Sequence, residues 1–118
     1  MPKAKQLSIR VENRPGTLAQ VAKVLGDAKV SIHAFATSTS DAEGNVQVIV
    51  DNVNRAKKAL EAAAISYTES DVLHVEMPNV PGALGQFAGK LASTDINITF
   101  GYATAVKGAR KASVVLTV

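Results

Sequence analysis

Residues 12–25 read ENRPGTLAQVAKVL, and residues 77–91 read MPNVPGALGQFAGKL. Both contain Asn-x-Pro-Gly-x-Leu-x-Gln, and the second Asn stands 66 residues after the first. Shifting the chain by that interval aligns residues 7–52 with 73–118 without a gap. Identities fall at Leu7/Leu73, Asn13/Asn79, Pro15/Pro81, Gly16/Gly82, Leu18/Leu84 and Gln20/Gln86. They continue at Ala22/Ala88, Leu25/Leu91, Ile32/Ile98 and Val48/Val114, with conservative pairs such as Ile9/Val75 and Val30/Ile96 between them. An ungapped match of this length marks an internal duplication. The interval is long for a solenoid, so two related small domains fit better.

Each repeat carries its own order of elements. In QLSIRVE, Leu7, Ile9 and Val11 alternate, which predicts a strand. NRPGT is a turn: Pro15 fixes φ and Gly16 tolerates unusual angles. Leu18, Val21, Ala22, Leu25 and Ala28 recur at helical spacing, with Thr17 read as the cap. VSIHAFATS alternates again, DAEGN is a hairpin turn, and VQVIV is β-branched. Ala56, Ala59, Leu60 and Ala63 lie on one face of a second helix, and ISYTES reads as a fourth strand. The order is β-α-β-β-α-β, a ferredoxin-like α+β arrangement with an antiparallel sheet and helices on one face.

The second repeat gives strand DVLHVEM, turn PNVPGA, a helix over about 83–93, strand INITFGYAT, turn VKGAR and strand KASVVLTV. The expected domains are residues 1–71 and 72–118, the second lacking the last helix and strand of the first. A βαββ piece leaves sheet surface and a strand edge uncovered. A homodimer is therefore expected.

The composition sets limits. With 47% hydrophobic and 19% charged residues the chain has a globular balance. It has no cysteine, so disulfides and thiolate chemistry are excluded. No apolar run approaches the roughly 20 residues of a membrane span, and Met-Pro-Lys-Ala-Lys-Gln is not a secretory signal, so a cytoplasmic protein without membrane contact is expected. A net charge of +3 is too small to argue for nucleic acid.

Asn13-Arg14-Pro15-Gly16-Thr17-Leu18 and Asn79-Val80-Pro81-Gly82-Ala83-Leu84, each between a first strand and a first helix, resemble the ACT domain family. The resemblance runs from about Leu7 to Val118, and the short second repeat departs from the usual pair. It implies a stand-alone tandem of ACT-like domains that binds a small regulatory ligand, most often an amino acid, between paired domains. A metabolic enzyme or a regulator is the partner such a module would act on. By resemblance, the second strand of a neighbouring domain supplies the facing wall: Ser31, Ile32 and His33, or Asn97, Ile98 and Thr99.

The residues support such a site on their own. The first N–H groups of a helix lack internal partners and attract anions. A carboxylate suits the N–H groups around Gly16, Thr17 and Leu18, or Gly82, Ala83 and Leu84, where the glycine leaves room for close approach. The side-chain oxygen of Asn13 or Asn79 can accept from an ammonium. No fixed charge lies among these residues, which favours a neutral amino acid. The competing reading is a strand-to-helix turn in a structural assembly module that binds nothing. Gln20 and Gln86 are assigned to structure.

Other chemistry finds less support. His33 and His74 lie on different strands with no ligand spacing, so no metal is expected. DAEGNV lacks the glycine at the sixth position and the later glutamate of a calcium loop, so it reads as a hairpin. No catalytic constellation and no cofactor motif appears. RNA-binding domains of the same topology stack bases on aromatic residues of the central strands, and QLSIRVE, VQVIV, DVLHVEM and ASVVLTV contain none.

Overall fold

A computed structural model describes residues 3–118. The elements run β1 (Lys3–Glu12), α1 (Thr17–Asp27), β2 (Ile32–Ser40), β3 (Glu43–Val50), α2 (Val53–Ala62), β4 (Tyr67–Pro78), α3 (Ala83–Ser93), β5 (Phe100–Thr104) and β6 (Lys111–Thr117). The described residues divide into a first unit, Lys5–Ser70, and a second, Asp71–Val118 with Lys3 and Ala4. The architecture is α+β, with antiparallel strand pairs and three helices.

In the first unit the strands lie in the order β2-β3-β1-β4. β3 is antiparallel to both β1 and β2, with Glu12 opposite Glu43 and Leu7 opposite Val48. Strand alternation puts Leu7 and Ile9 on the same face as Val46, Val48 and Val50. Val21 and Leu25 of α1 and Ala56 and Leu60 of α2 pack onto that face from i,i+4 positions. Leu7, Ile9, Leu25 and Leu60 lose all their exposed surface, worth roughly 1.5–3 kcal/mol each.

In the second unit the order is β4-β6-β5, with β6 antiparallel to its neighbours. Leu73, Met77, Ala112, Val114 and Leu116 form the inward face, and Leu91 of α3 covers it. Phe87 and Ile98 pack at its margin. On the opposite face Phe100 and Tyr102 stand edge to face, ring centres 5.9 Å apart, with Tyr102 opposite buried Val115. Burial pushes the Tyr102 hydroxyl up to about 12.

Three local expectations change. Thr17 is not the cap of α1. Gly16 takes that place with φ 91°, and Thr17 begins the helix with its hydroxyl donating to the Arg14 carbonyl at 3.2 Å. The second strand of each repeat starts later than alternation suggests: Val30, Ser31 and residues 96–99 precede β2 and β5. The reason is the helix exit. Lys29 and Asp95 are left-handed, the Val30 N–H reaches the Leu25 carbonyl at 3.0 Å, and the Ile96 N–H reaches that of Leu91 at 2.9 Å. This is the Schellman closure, and it takes Val30 and Ile96 out of the strands. α2 ends the same way at Ala64 and Ile65. Finally, ISYTES and DVLHVEM do not form separate strands, because β4 runs unbroken from Tyr67 to Pro78.

Candidate functional site

The two loops are built alike. Gly16 has φ 91° and ψ −8°, and Gly82 has φ 88° and ψ −10°. A left-handed residue turns the chain from strand into helix, and glycine takes that shape without strain. Open space lies where a Cβ would project from either glycine. The first intrahelical donors are Gln20 and Gln86, whose N–H groups reach the Gly16 and Gly82 carbonyls at 3.0 Å. The N–H groups of the preceding helical residues, beside exposed Leu18 and Leu84, therefore have no partner inside the helix, and of these the Ala83 N–H is taken by the Val80 carbonyl.

Each Asn ties its loop to the neighbouring hairpin. The Asn13 amide nitrogen donates to the Asp41 carbonyl at 2.8 Å, and its backbone N–H to that of Ala42 at 2.9 Å. The Asn79 amide nitrogen bridges the Ala109 and Val106 carbonyls at 3.0 and 3.3 Å, and its N–H reaches Arg110 at 2.9 Å. The nitrogen is thus committed to the hairpin, and the carbonyl oxygen is the end suited to accept from a ligand.

The loops differ in their charges. The first hairpin carries Asp41 and Glu43, whereas the second carries Lys107, Arg110 and Lys111. In the first loop Arg14 pairs with Glu12 at 2.8 Å. In the second, Val80 occupies the Arg14 position, and the Ala83 N–H folds back onto the Val80 carbonyl at 3.3 Å.

Within a unit the two groups of expected site residues stay apart. Asn13, Pro15, Gly16, Thr17 and Leu18 share one end of the sheet. Ser31, Ile32 and His33 lie at the other, since Ile32 pairs with Val50 and Glu12 with Glu43. Seven strand residues put about 24 Å between these ends. Ser31 is held there by Asp51, whose carboxylate accepts its N–H at 3.0 Å. His33 sits in a register irregularity between Ile32 and Ala34. In the second unit Asn79, Pro81, Gly82, Ala83 and Leu84 are likewise remote from Asn97, Ile98 and Thr99. The Thr99 N–H bonds Thr117 at the far end of β6 at 2.9 Å.

Beside each loop the structure opens a hollow that spacing did not reveal. The first measures about 380 Å³, with Arg10, Glu12, Arg14, Gln20, Glu43 and Ser66 among its walls. The second measures about 270 Å³, with Val75, Met77, Val80, Gln86 and Phe87 among its walls. Of the expected site residues, Thr17 lines the first and Pro81 and Ala83 the second, and Gln20 and Gln86, read as structural, line them too. Among the described residues no group of three or more His, Asp or Glu could hold a metal ion. No helix among them is long and apolar enough to cross a membrane.

Comparison with known proteins gives this geometry its context. The profile of the ACT domain pair family matches residues 3–117. No curated protein matches by sequence. Among solved structures the chain is similar to protein BT0572 from Bacteroides thetaiotaomicron, at 33% identity and a TM-score of 0.90, over 98% of this chain and 78% of that one. It is also similar in fold to the regulatory subunit of aspartate kinase from Thermus thermophilus, at 20% identity and 0.71, over 97% and 82% of the two chains. The aspartokinase alpha and beta subunits follow at 16% identity and 0.65, over 98% and 86%. With the family profile spanning nearly every described residue and both glycine loops in their places, the chain belongs to the ACT domain family as an ACT domain pair.

Proposed function

We propose that this chain is a non-catalytic regulatory module that binds a small molecule, an amino acid or a close analogue, at its two glycine loops. ACT-like domains over residues 1–71 and 72–118 supply the loops, and paired domains complete the sites. The observation that carries the reading is the twin loop. At each glycine the backbone is open to approach, helix N–H groups other than that of Ala83 face outward, and an Asn oxygen stands by as an acceptor. The remoteness of Ser31–His33 and Asn97–Thr99 from the loops of their own unit supports a partner domain as the facing wall, and hence a homodimer. The similarity in fold to aspartate kinase regulatory subunits fits a module acting on a metabolic enzyme or regulator. A cytoplasmic location fits such a role.

Thermal unfolding against the twenty amino acids, each at about millimolar concentration, tests this. A ligand that binds only the folded protein raises the melting temperature with its concentration. Gly16→Asn and Gly82→Asn keep a residue that tolerates the left-handed backbone but place a side chain in the open space. The expected result is a shift with one or a few amino acids, lost in these variants. No shift with any amino acid, in protein that is folded and dimeric, would turn the loops into assembly turns and refute the reading.

A further inference from the structure

We infer that the two loops have diverged into sites of different ligand chemistry: the Gly16 loop takes an amino acid with a polar or charged side chain, and the Gly82 loop one with an aliphatic or aromatic side chain. The inference rests on the ligand-binding reading above and specifies it.

The two hollows are the same place in each repeat, which makes their walls comparable position by position. Gln20 lines the first and Gln86 the second, and each follows its loop glycine by four residues. Around this shared residue the polarity changes. Arg14 is answered by Val80, Thr17 by Ala83, and Glu12 by Pro78. Val21 is answered by Phe87 and Val11 by Met77, so the second hollow also gains apolar bulk. The first has further walls in Glu43 and Ser66, whereas charge in the second is confined to Glu76 and Lys90.

A ligand anchored by its carboxylate on the helix N–H groups would turn its side chain toward the adjoining hollow. In the first it meets two guanidinium groups and two carboxylates, which are matched by donors and acceptors. In the second it meets Val75, Met77, Val80 and Phe87, where an unpartnered polar group pays a desolvation cost and an apolar one does not. A site built on polar contacts rejects a ligand lacking them far more strongly than an apolar pocket ranks ligands by size. The first loop should therefore be the more selective.

Calorimetric titration of the intact chain tests the inference, with L-glutamine and L-arginine as polar probes and L-leucine and L-phenylalanine as apolar ones. At least one probe of each class is expected to bind, the two without competition. Thr17→Leu should weaken the polar probe tenfold or more and spare the apolar one, and Ala83→Leu should do the reverse. Arg14→Val and Val80→Arg change exposed side chains and serve where a leucine variant fails to fold. Each is expected to weaken the probe of its own loop only. Binding of one class alone, competition between the classes, or a variant that weakens both probes overturns the inference and leaves the ligand reading standing. No binding by any of the four probes overturns the inference, and the ligand reading falls with it only if none of the twenty amino acids shifts the melting temperature.

Discussion

Lys29 and Asp95 stand 66 residues apart and hold nearly the same left-handed backbone, with φ of 63° and 61°. Each follows the C-cap residue of its helix, Ala28 or Thr94, and its N–H closes back on the Gly26 or Ala92 carbonyl at 3.0 Å. The duplication is therefore preserved in a backbone torsion at a position where the side chains have nothing in common.

A side chain in this conformation costs energy that glycine does not. Lys29→Gly and Asp95→Gly should each stabilise the protein by about 0.5–1 kcal/mol, after the loss from a more flexible unfolded chain. Urea unfolding checks this, and the two gains should add, since the sites share no partners.

Gly16 and Gly82 give the opposite expectation. A Cβ meets nothing at either site, so crowding is not the obstacle and the torsion alone decides. Gly16→Ala should cost about 1–2 kcal/mol. Gly16→Asn should cost less, because Asn visits this region more readily. Equal losses in the two variants would show that something other than the torsion is at work.

The fold and the motif were legible because both rest on side-chain pattern. Alternation at Leu7, Ile9 and Val11 and helical spacing at Val21 and Leu25 name their elements directly. The helix exits were misread because Schellman closures are recognised by glycine or asparagine, and here Lys29, Ala64 and Asp95 hold the turn. Val30 and Ile96 then look like strand residues. The hollow beside Gly16 was hidden for another reason. Arg10 and Glu43 are brought to one place by the register of β1 against β3, which the hairpin sets and which spacing along one strand does not express.

Asn79 supplies a test of the hairpin tether. Asn79→Ala removes a side chain that bridges two carbonyls of the turn between β5 and β6. The expected loss is about 1–2 kcal/mol, with faster amide exchange over residues 106–110. Asn13→Ala breaks one exposed bond to Asp41 and should cost less.

Tyr102 predicts behaviour in alkali. Its folded pKa is raised from 10.0 to about 12 by burial, so the folded protein holds it neutral after the unfolded chain would ionise. The stability it contributes is fully present below pH 10.0 and is lost as pH rises toward about 12. Unfolding midpoints across this window, read with tyrosinate absorbance, should fall less steeply in Tyr102→Phe. A slope unchanged by the substitution would assign the loss to other groups.

Ser70 and Asp71 are neighbours in one strand yet belong to different units, and Ala4 and Lys5 divide β1 in the same way. A duplicated gene ordinarily keeps a seam between its copies, a few codons where recombination can separate them or insert new sequence. Here both seams fall within hydrogen-bonded strand. A cut between Ser70 and Asp71 would therefore part Tyr67–Ser70 from the rest of β4, whereas a cut before Tyr67 would leave every strand whole.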